Sequence, residues 1–245
     1  MKDRTYLLLA ALLVGAGLAI GGWFIGDGFV QSRIGDRYVT VKGISERTVK
    51  ANLALWPMRF VATGNDLTKV QAKISADAQK VITFLTDQGV PRKEIELQSL
   101  EVTDLLAQAY RSPGPVESRF IVAQTLMVRS NDVDRIAQAS QKISELVDAG
   151  VVLSNQGGPG GGGPYYLFTG LTQLKPAMIG EATHNARMAA EQFAKDSGAV
   201  LGGIRRANQG LFQILARDNA PQMVQQKQIE KTVRVVSTLQ YYLAK

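Results

Sequence analysis

From Thr5 to Gly26 the chain runs without a charge, directly behind Lys2, Asp3 and Arg4. As a helix this run is about 33 Å long, enough to cross a hydrocarbon core of about 30 Å. Tyr6 stands near one end and Trp23 with Phe24 near the other, where amphipathic rings settle at the headgroups. The pattern predicts a cytoplasmic tip over 1–4, a transmembrane anchor over 5–27 and a linker over 28–36, with everything beyond Asp27 outside the cytoplasm. The run is longer than the roughly 7–15 apolar residues of a signal peptide and no A-x-A follows it. That favours an uncleaved anchor, while pairs such as Ala16-Gly17 leave cleavage open. Ala11, Gly15, Ala19, Gly22 and Gly26 fall on one stripe, so a second helix could approach closely along the side next to Trp23.

Past the linker the period shortens to two. Tyr38–Gly43 and Asn52–Val61 read as strands, the second placing Ala54, Trp56, Met58 and Phe60 on one face. Pro57 lacks an N–H, which puts that strand at an edge or a bulge. From Asp66 to Gln88 the period lengthens again. Leu67, Val70, Ile74, Ala78, Val81 and Leu85 make an apolar helix face, Lys69, Lys73, Asp77 and Lys80 occupy another, and Gly89 with Pro91 ends the helix. Strands near Ile95–Leu106 and Ser118–Val128 follow, then a helix near Asn131–Ala149 that starts on the capping residues Ser130 and Asn131 and closes at Gly150. A strand near Tyr165–Thr172, a helix over Pro176–Ser197 and strands near Leu201–Ala216 and Lys231–Leu243 complete the chain.

A shift of 109 residues lays Phe84 on Phe193, Asp87 on Asp196, Gly89 on Gly198 and Ile95 on Ile204. The shared unit would be strand–helix–strand–strand. These elements predict an α+β fold with mostly antiparallel sheets. The exported domain would span 37–245, with lobes of about 37–130 and 151–245 joined by the helix at 131–149.

The 245 residues, 45% hydrophobic and 20% charged, have ordinary globular composition and exclude wholesale disorder. With no Cys there are no disulfides, thiol nucleophiles or cysteine metal sites, and one His excludes any site needing two imidazoles. The net charge of +7 is dispersed, with Arg92-Lys93 and Arg205-Arg206 as the basic pairs and no aromatic-interleaved motif. Nucleic acid is therefore not an expected partner; anionic lipid or wall polymer suits such charge better.

The glycine-rich stretch at 157–164 contains a formal G-x-G-x-x-G at Gly158, Gly160 and Gly163. Pro164 and an apolar run follow where a dinucleotide site needs a helix N-terminus. Gly157, Gly158, Gly160 and Gly163 read instead as a surface loop and a candidate subunit contact. His184 lies opposite the helix face formed by Ile179, Ala182, Ala186, Ala189, Ala190 and Phe193, without a nameable catalytic partner. The pairs Glu94/Glu96 and Asp132/Asp134 sit where elements begin, which suits electrostatics at element starts better than acid–base catalysis. No catalytic, cofactor-binding or metal-binding residue is assigned, no cofactor is expected, and the protein reads as a non-enzyme.

The segment Val39-Thr40-Val41-Lys42-Gly43 with Ser45-Glu46, the return strand Phe120–Val128, the alanine ladder Ala182, Ala186, Ala190 and Ala194 leading to Gly198 and Leu201-Gly202, and the closing strand Thr232-Val233-Arg234-Val235-Val236 occur in an order that resembles the SIMPL-domain family of bacterial envelope proteins. The resemblance runs from Arg37 to Leu243. It implies a two-lobed α+β domain, export across the inner membrane, and assembly into homo-oligomeric rings or cages. It also implies loose links to oxidative stress and envelope maintenance, with no agreed catalytic residues; many relatives carry a cleavable signal where this chain has an anchor-like segment. The expected protein is single-pass in the bacterial inner membrane, N-terminus cytoplasmic and bulk in the periplasm, with its own copies and membrane lipid as partners. The alternative is a periplasmic binding module for a small molecule, lipid or cell-wall component in a cleft between the lobes. A third reading is an enzyme built from Ser, Lys, Asp or Glu.

Overall fold

A computed structural model describes residues 2–34, 37–108, 117–154, 162–218, 220–221 and 223–244, with the side chains of 12–28 in the first of these stretches. In chain order the elements are α1 (Lys2–Ile34), β1 (Tyr38–Lys50), β2 (Leu53–Gly64), α2 (Leu67–Asp87), β3 (Ile95–Asp104), β4 (Phe120–Ser130), α3 (Val133–Gln141), α4 (Ser144–Asp148), β5 (Val152–Leu153), β6 (Tyr165–Leu167), α5 (Leu171–Asp196), β7 (Val200–Gln209), β8 (Gln213–Ala216) and β9 (Glu230–Ala244). The fold is α+β with mostly antiparallel pairing and five α-helices among the described residues. The chain forms two compact units that interleave in sequence, 1–45 with 176–212 and 235–245, and 46–175 with 213–234. Neither unit is a single stretch such as 37–130 or 151–245.

In the unit built on 46–175, β3, β4, β2 and β5 line up in that order, with β6 on the same edge of β2 as a second short partner. Ala54, Trp56, Met58, Phe60 and Ala62 of β2 are buried, as the two-residue period predicts. Against them lie Val70, Ile74, Val81 and Leu85 of α2 and Val133 and Ile136 of α3. Asp66 caps α2, its carboxylate accepting from the N–H groups of Thr68 at 2.9 Å and Lys69 at 3.3 Å. Two expected positions differ. Leu67, the first residue of α2, is 41% exposed, and Asp77 is buried rather than solvated. Asp77 is held by Lys73 at 2.7 Å and Lys80 at 3.7 Å, whose ammonium groups also donate to the Gly150 and Ala149 carbonyls at the end of α4.

Pro57 pairs with Met127 inside the sheet, so β2 is not an edge strand along its β4 side. On its other side β6 covers Leu53–Leu55 and β5 covers Phe60–Val61, and the proline falls in the interval between them. The missing N–H is thus tolerated at a local gap, without a bulge. The helix expected over 131–149 is two short helices. Lys142 and Leu146 close three-residue turns onto Ala139 and Ile143, and this break turns Leu146 into the core.

In the other unit the sheet order is β1-β9-β7, and α5 covers one face. Met178, Ala182, Ala186, Ala190 and Ala194 are buried at a strict four-residue spacing, whereas Phe193 is 59% exposed. The expected inclusion of Phe193 fails because a stripe of spacing four drifts away from that position along the helix. The helix starts at Leu171, not Pro176, so the proline sits inside it. The strand expected over Leu201–Ala216 breaks at Gly210, which donates its N–H to the Val236 carbonyl at 2.8 Å; a Cβ there would lie 2.7 Å from the same oxygen.

The repeat is visible at the helix ends. Gly89 and Gly198 both adopt positive φ, +81° and +67°. Gly89 N–H donates to Thr86 and Val90 N–H to Leu85; Gly198 donates to Lys195 and Ala199 to Ala194, the same double bond pattern shifted by 109. Strand orders β3-β4-β2 and β7-β9-β1 then correspond. The first strand of the second copy is β1, not the segment at Tyr165, which pairs with Leu53–Leu55 of β2 instead.

Candidate functional site

Gly43 in β1 sits where α5 passes. A Cβ at this position would stand 1.8 Å from the Ala182 carbonyl oxygen and 2.5 Å from the Ala186 nitrogen. Two residues on, the Ser45 hydroxyl donates to Glu181 Oε2 at 3.0 Å, and Asn185 Nδ2 donates to the Ile44 carbonyl at 2.9 Å. The strand motif and the alanine ladder are therefore two halves of one joint. It brings backbone against backbone and locks the crossing with two side-chain hydrogen bonds. Ser45 is 1% exposed, so its oxygen is out of reach of a substrate despite the neighbouring carboxylate.

The helix-free face of the five-stranded sheet carries a cleft of about 390 Å³, lined by Pro57, Arg59, Ser99, Thr125, Met127 and Tyr165 among others. Arg59 bonds Glu101 across β4 at 2.8 Å. Lys227 stands 3.8 Å above the Tyr165 ring and donates to the Gly163 carbonyl at 3.0 Å, and burial pushes its ammonium below the usual lysine range. Gly163 itself adopts φ +101°. The other loop glycines singled out above, Gly157, Gly158 and Gly160, lie outside the described residues. Pro57, Met127 and Tyr165 supply its apolar lining, and the cations beside it, Arg59 and Lys227, are engaged within the protein.

Lys231 is a residue the periodicity could have revealed. It shares the two-residue register of Val233 and Val235 on β9 and is fully buried like them. Its ammonium donates to the Gln225 and Gln228 carbonyls at 2.7 and 2.9 Å, and burial lowers its pKa to about 8. No carboxylate pairs with it among the described residues.

The remaining candidates are where the sequence placed them. His184 is exposed on α5. Asp132 caps α3, accepting from Arg135 N–H at 3.0 Å, and Asp134 pairs with Lys50. Glu94 and Glu96 flank the start of β3. Among the described residues no three acidic or imidazole side chains gather as a metal site would require.

Gly15, Ala19, Gly22 and Gly26 lie on α1, and a Cβ at each of the three glycines would meet nothing within 4 Å. Trp23 is 76% exposed, and Leu12, Leu18, Phe24 and Ile25 are similarly bare. Among the described residues no helix is long and apolar enough to cross a membrane. Thr5 to Ala11, the rest of the uncharged run, lies outside the described side chains.

A family model matches residues 39–241; the family is SIMPL, described as a protein of unknown function (DUF541). No curated protein matches the chain.

Proposed function

Because the chain belongs to the SIMPL family, we propose that it is a non-enzymatic, membrane-anchored protein facing the bacterial periplasm. There it assembles with its own copies into a ring- or cage-like envelope structure that serves stress protection or envelope maintenance. Its partners are further copies and inner-membrane lipid. The observation that carries the anchor is α1 itself. Its side chains from Leu12 to Ile25 are apolar and exposed on every side, a surface that water disfavours and lipid or a neighbouring helix covers. The one serine–carboxylate pair described above, Ser45 with Glu181, is buried away from any substrate, and among the described residues no acidic or imidazole cluster gathers to hold a metal, which supports a non-catalytic role. The cleft beside Tyr165 favours a second reading, a binding module for a small molecule, lipid or wall component.

The cysteine-free sequence makes the anchor testable. Full chains carrying Asp3→Cys or Lys142→Cys are expressed in cells whose outer membrane is made permeable, then treated with an impermeant maleimide. The anchor predicts labelling of Lys142→Cys in intact cells and of Asp3→Cys only after lysis, with the protein retained in membranes at alkaline pH. Release into the soluble fraction, or labelling of both positions before lysis, would contradict it.

A further inference from the structure

β3 and β7 each end their sheet, and both are bare. Glu96–Val102 and Gly202–Gln209 are exposed throughout. An uncovered strand edge offers its free N–H and C=O groups to another chain. Part of each edge is blunted, because the register shifts between Leu97 and Ser99 in β3, and on both sides of Ile204 in β7. Ser99–Asp104 and Arg206–Gln209 remain as regular ladder.

We propose that the Ser99–Asp104 edge of β3 pairs with the Arg206–Gln209 edge of β7 in a second copy of this chain, joining two sheets edge to edge. This deepens the assembly reading above and rests on it. Charge selects the pairing. β3 contains three acidic residues and no basic one, whereas β7 contains Arg205 and Arg206 and no acid. Within the paired segments the acids are Glu101 and Asp104, each also bonded to an arginine of its own chain, Arg59 and Arg119, and the base is Arg206. Pairing β3 with β3, or β7 with β7, sets like charges together.

The faces agree as well. Val102 lies opposite Val122, on the helix-covered side of its sheet, and Ala207 lies opposite Leu239 on the helix-covered side of the other. Glu101 and Arg206 both fall on the helix-free sides, opposite Ala123 and Gln240. Edges brought together with the helices on one side therefore set apolar beside apolar and acid on the same face as base. Such a contact is heterologous, using different surfaces on the two copies, and so continues from copy to copy.

Two differently tagged full chains, one with Val102→Cys and one with Ala207→Cys, are co-expressed and treated in detergent with a short bismaleimide. The expected product is a covalent dimer carrying both tags, with neither variant cross-linking when expressed alone. A dimer from Val102→Cys alone indicates β3 against β3 and overturns the proposal. A multi-subunit mass without any cross-link overturns the pairing and leaves the assembly reading standing; a monomeric mass overturns both. As an independent check, Arg206→Glu should weaken association by about tenfold, because Glu101 is the β3 acid that comes nearest to it on the helix-free face when Val102 stands beside Ala207. Association left unchanged by Arg206→Glu counts against the pairing.

Discussion

Helix α2 rests on its sheet through Val70, Ile74, Val81 and Leu85, which meet Trp56 and Phe60. Helix α5 rests on β1 and β9 through Ala186 and Ala190, with Gly43 beneath Ala182. The first arrangement fills the space between helix and sheet with large side chains; the second removes the space. Bulky side chains tolerate some loss of volume, because neighbours relax into a cavity. A close backbone crossing tolerates no added atom, because nothing in it can move aside. The two halves of the repeat share helix ends and strand order, yet should respond to substitution in opposite ways.

The largest effect is expected at the glycine crossing. Gly43→Ala adds one methyl group within reach of three backbone atoms, and should cost more than about 4 kcal/mol, enough to stop the 1–45/176–212/235–245 unit from packing. Urea unfolding of the variant checks this; a loss below 1 kcal/mol, as ordinary surface changes give, would mean that α5 does not cross so closely. The matching deletion in the other unit, Phe60→Ala, should cost about 3–5 kcal/mol and still leave a folded protein. Trp56 fluorescence in urea reports it, and a smaller cost than that of Gly43→Ala is what the contrast requires.

Lys231 sharpens the comparison from the electrostatic side. Its folded pKa, about 8, lies below the ordinary 10.5, so between these values the unfolded chain holds the extra proton. Stability should therefore rise as pH climbs through that window, by at most roughly 3 kcal/mol, and the handicap should be fully present below pH 8. Lys231→Met should flatten the rise relative to the unsubstituted protein. Parallel stability curves for the two between pH 7 and pH 10 would show that the ammonium is not strained by burial. The smallest effect is expected at the cap of α2, where Asp66→Ala should cost about 1 kcal/mol in the same urea assay. No loss would mean that water replaces the carboxylate without penalty.

Local elements were readable because their causes are local. Gly89 and Gly198 marked both helix ends, since only the residue itself decides whether positive φ is cheap. The alternation on β2 named the buried face before any fold was known. What escaped the reading depends on partners distant in sequence. Nothing in the period of β1 says that it docks on α5 some 140 residues later, so Gly43 read as the end of a strand and the interleaved units read as consecutive lobes. Phe193 has the apolar character of a core residue, but the strict four-residue spacing of the buried alanines excludes it. Asp77 and Lys231 keep their charges on buried faces because polar partners stand close by in sequence, Lys73 and Lys80 within one helical turn of Asp77 and the Gln228 and Gln225 carbonyls three and six residues before Lys231. The close-packing joint was present in the residues that carried the family likeness, but its role as a joint needed Ala182 beside Gly43.

The proposal that copies of this chain assemble at the membrane is met most directly by light scattering coupled to size exclusion on the full chain in detergent. The account predicts one discrete mass at a multiple of the 26.5 kDa chain, unchanged on moderate dilution. A single species at 26.5 kDa after subtraction of detergent would contradict it and leave the cleft beside Tyr165 as the feature to pursue with ligands.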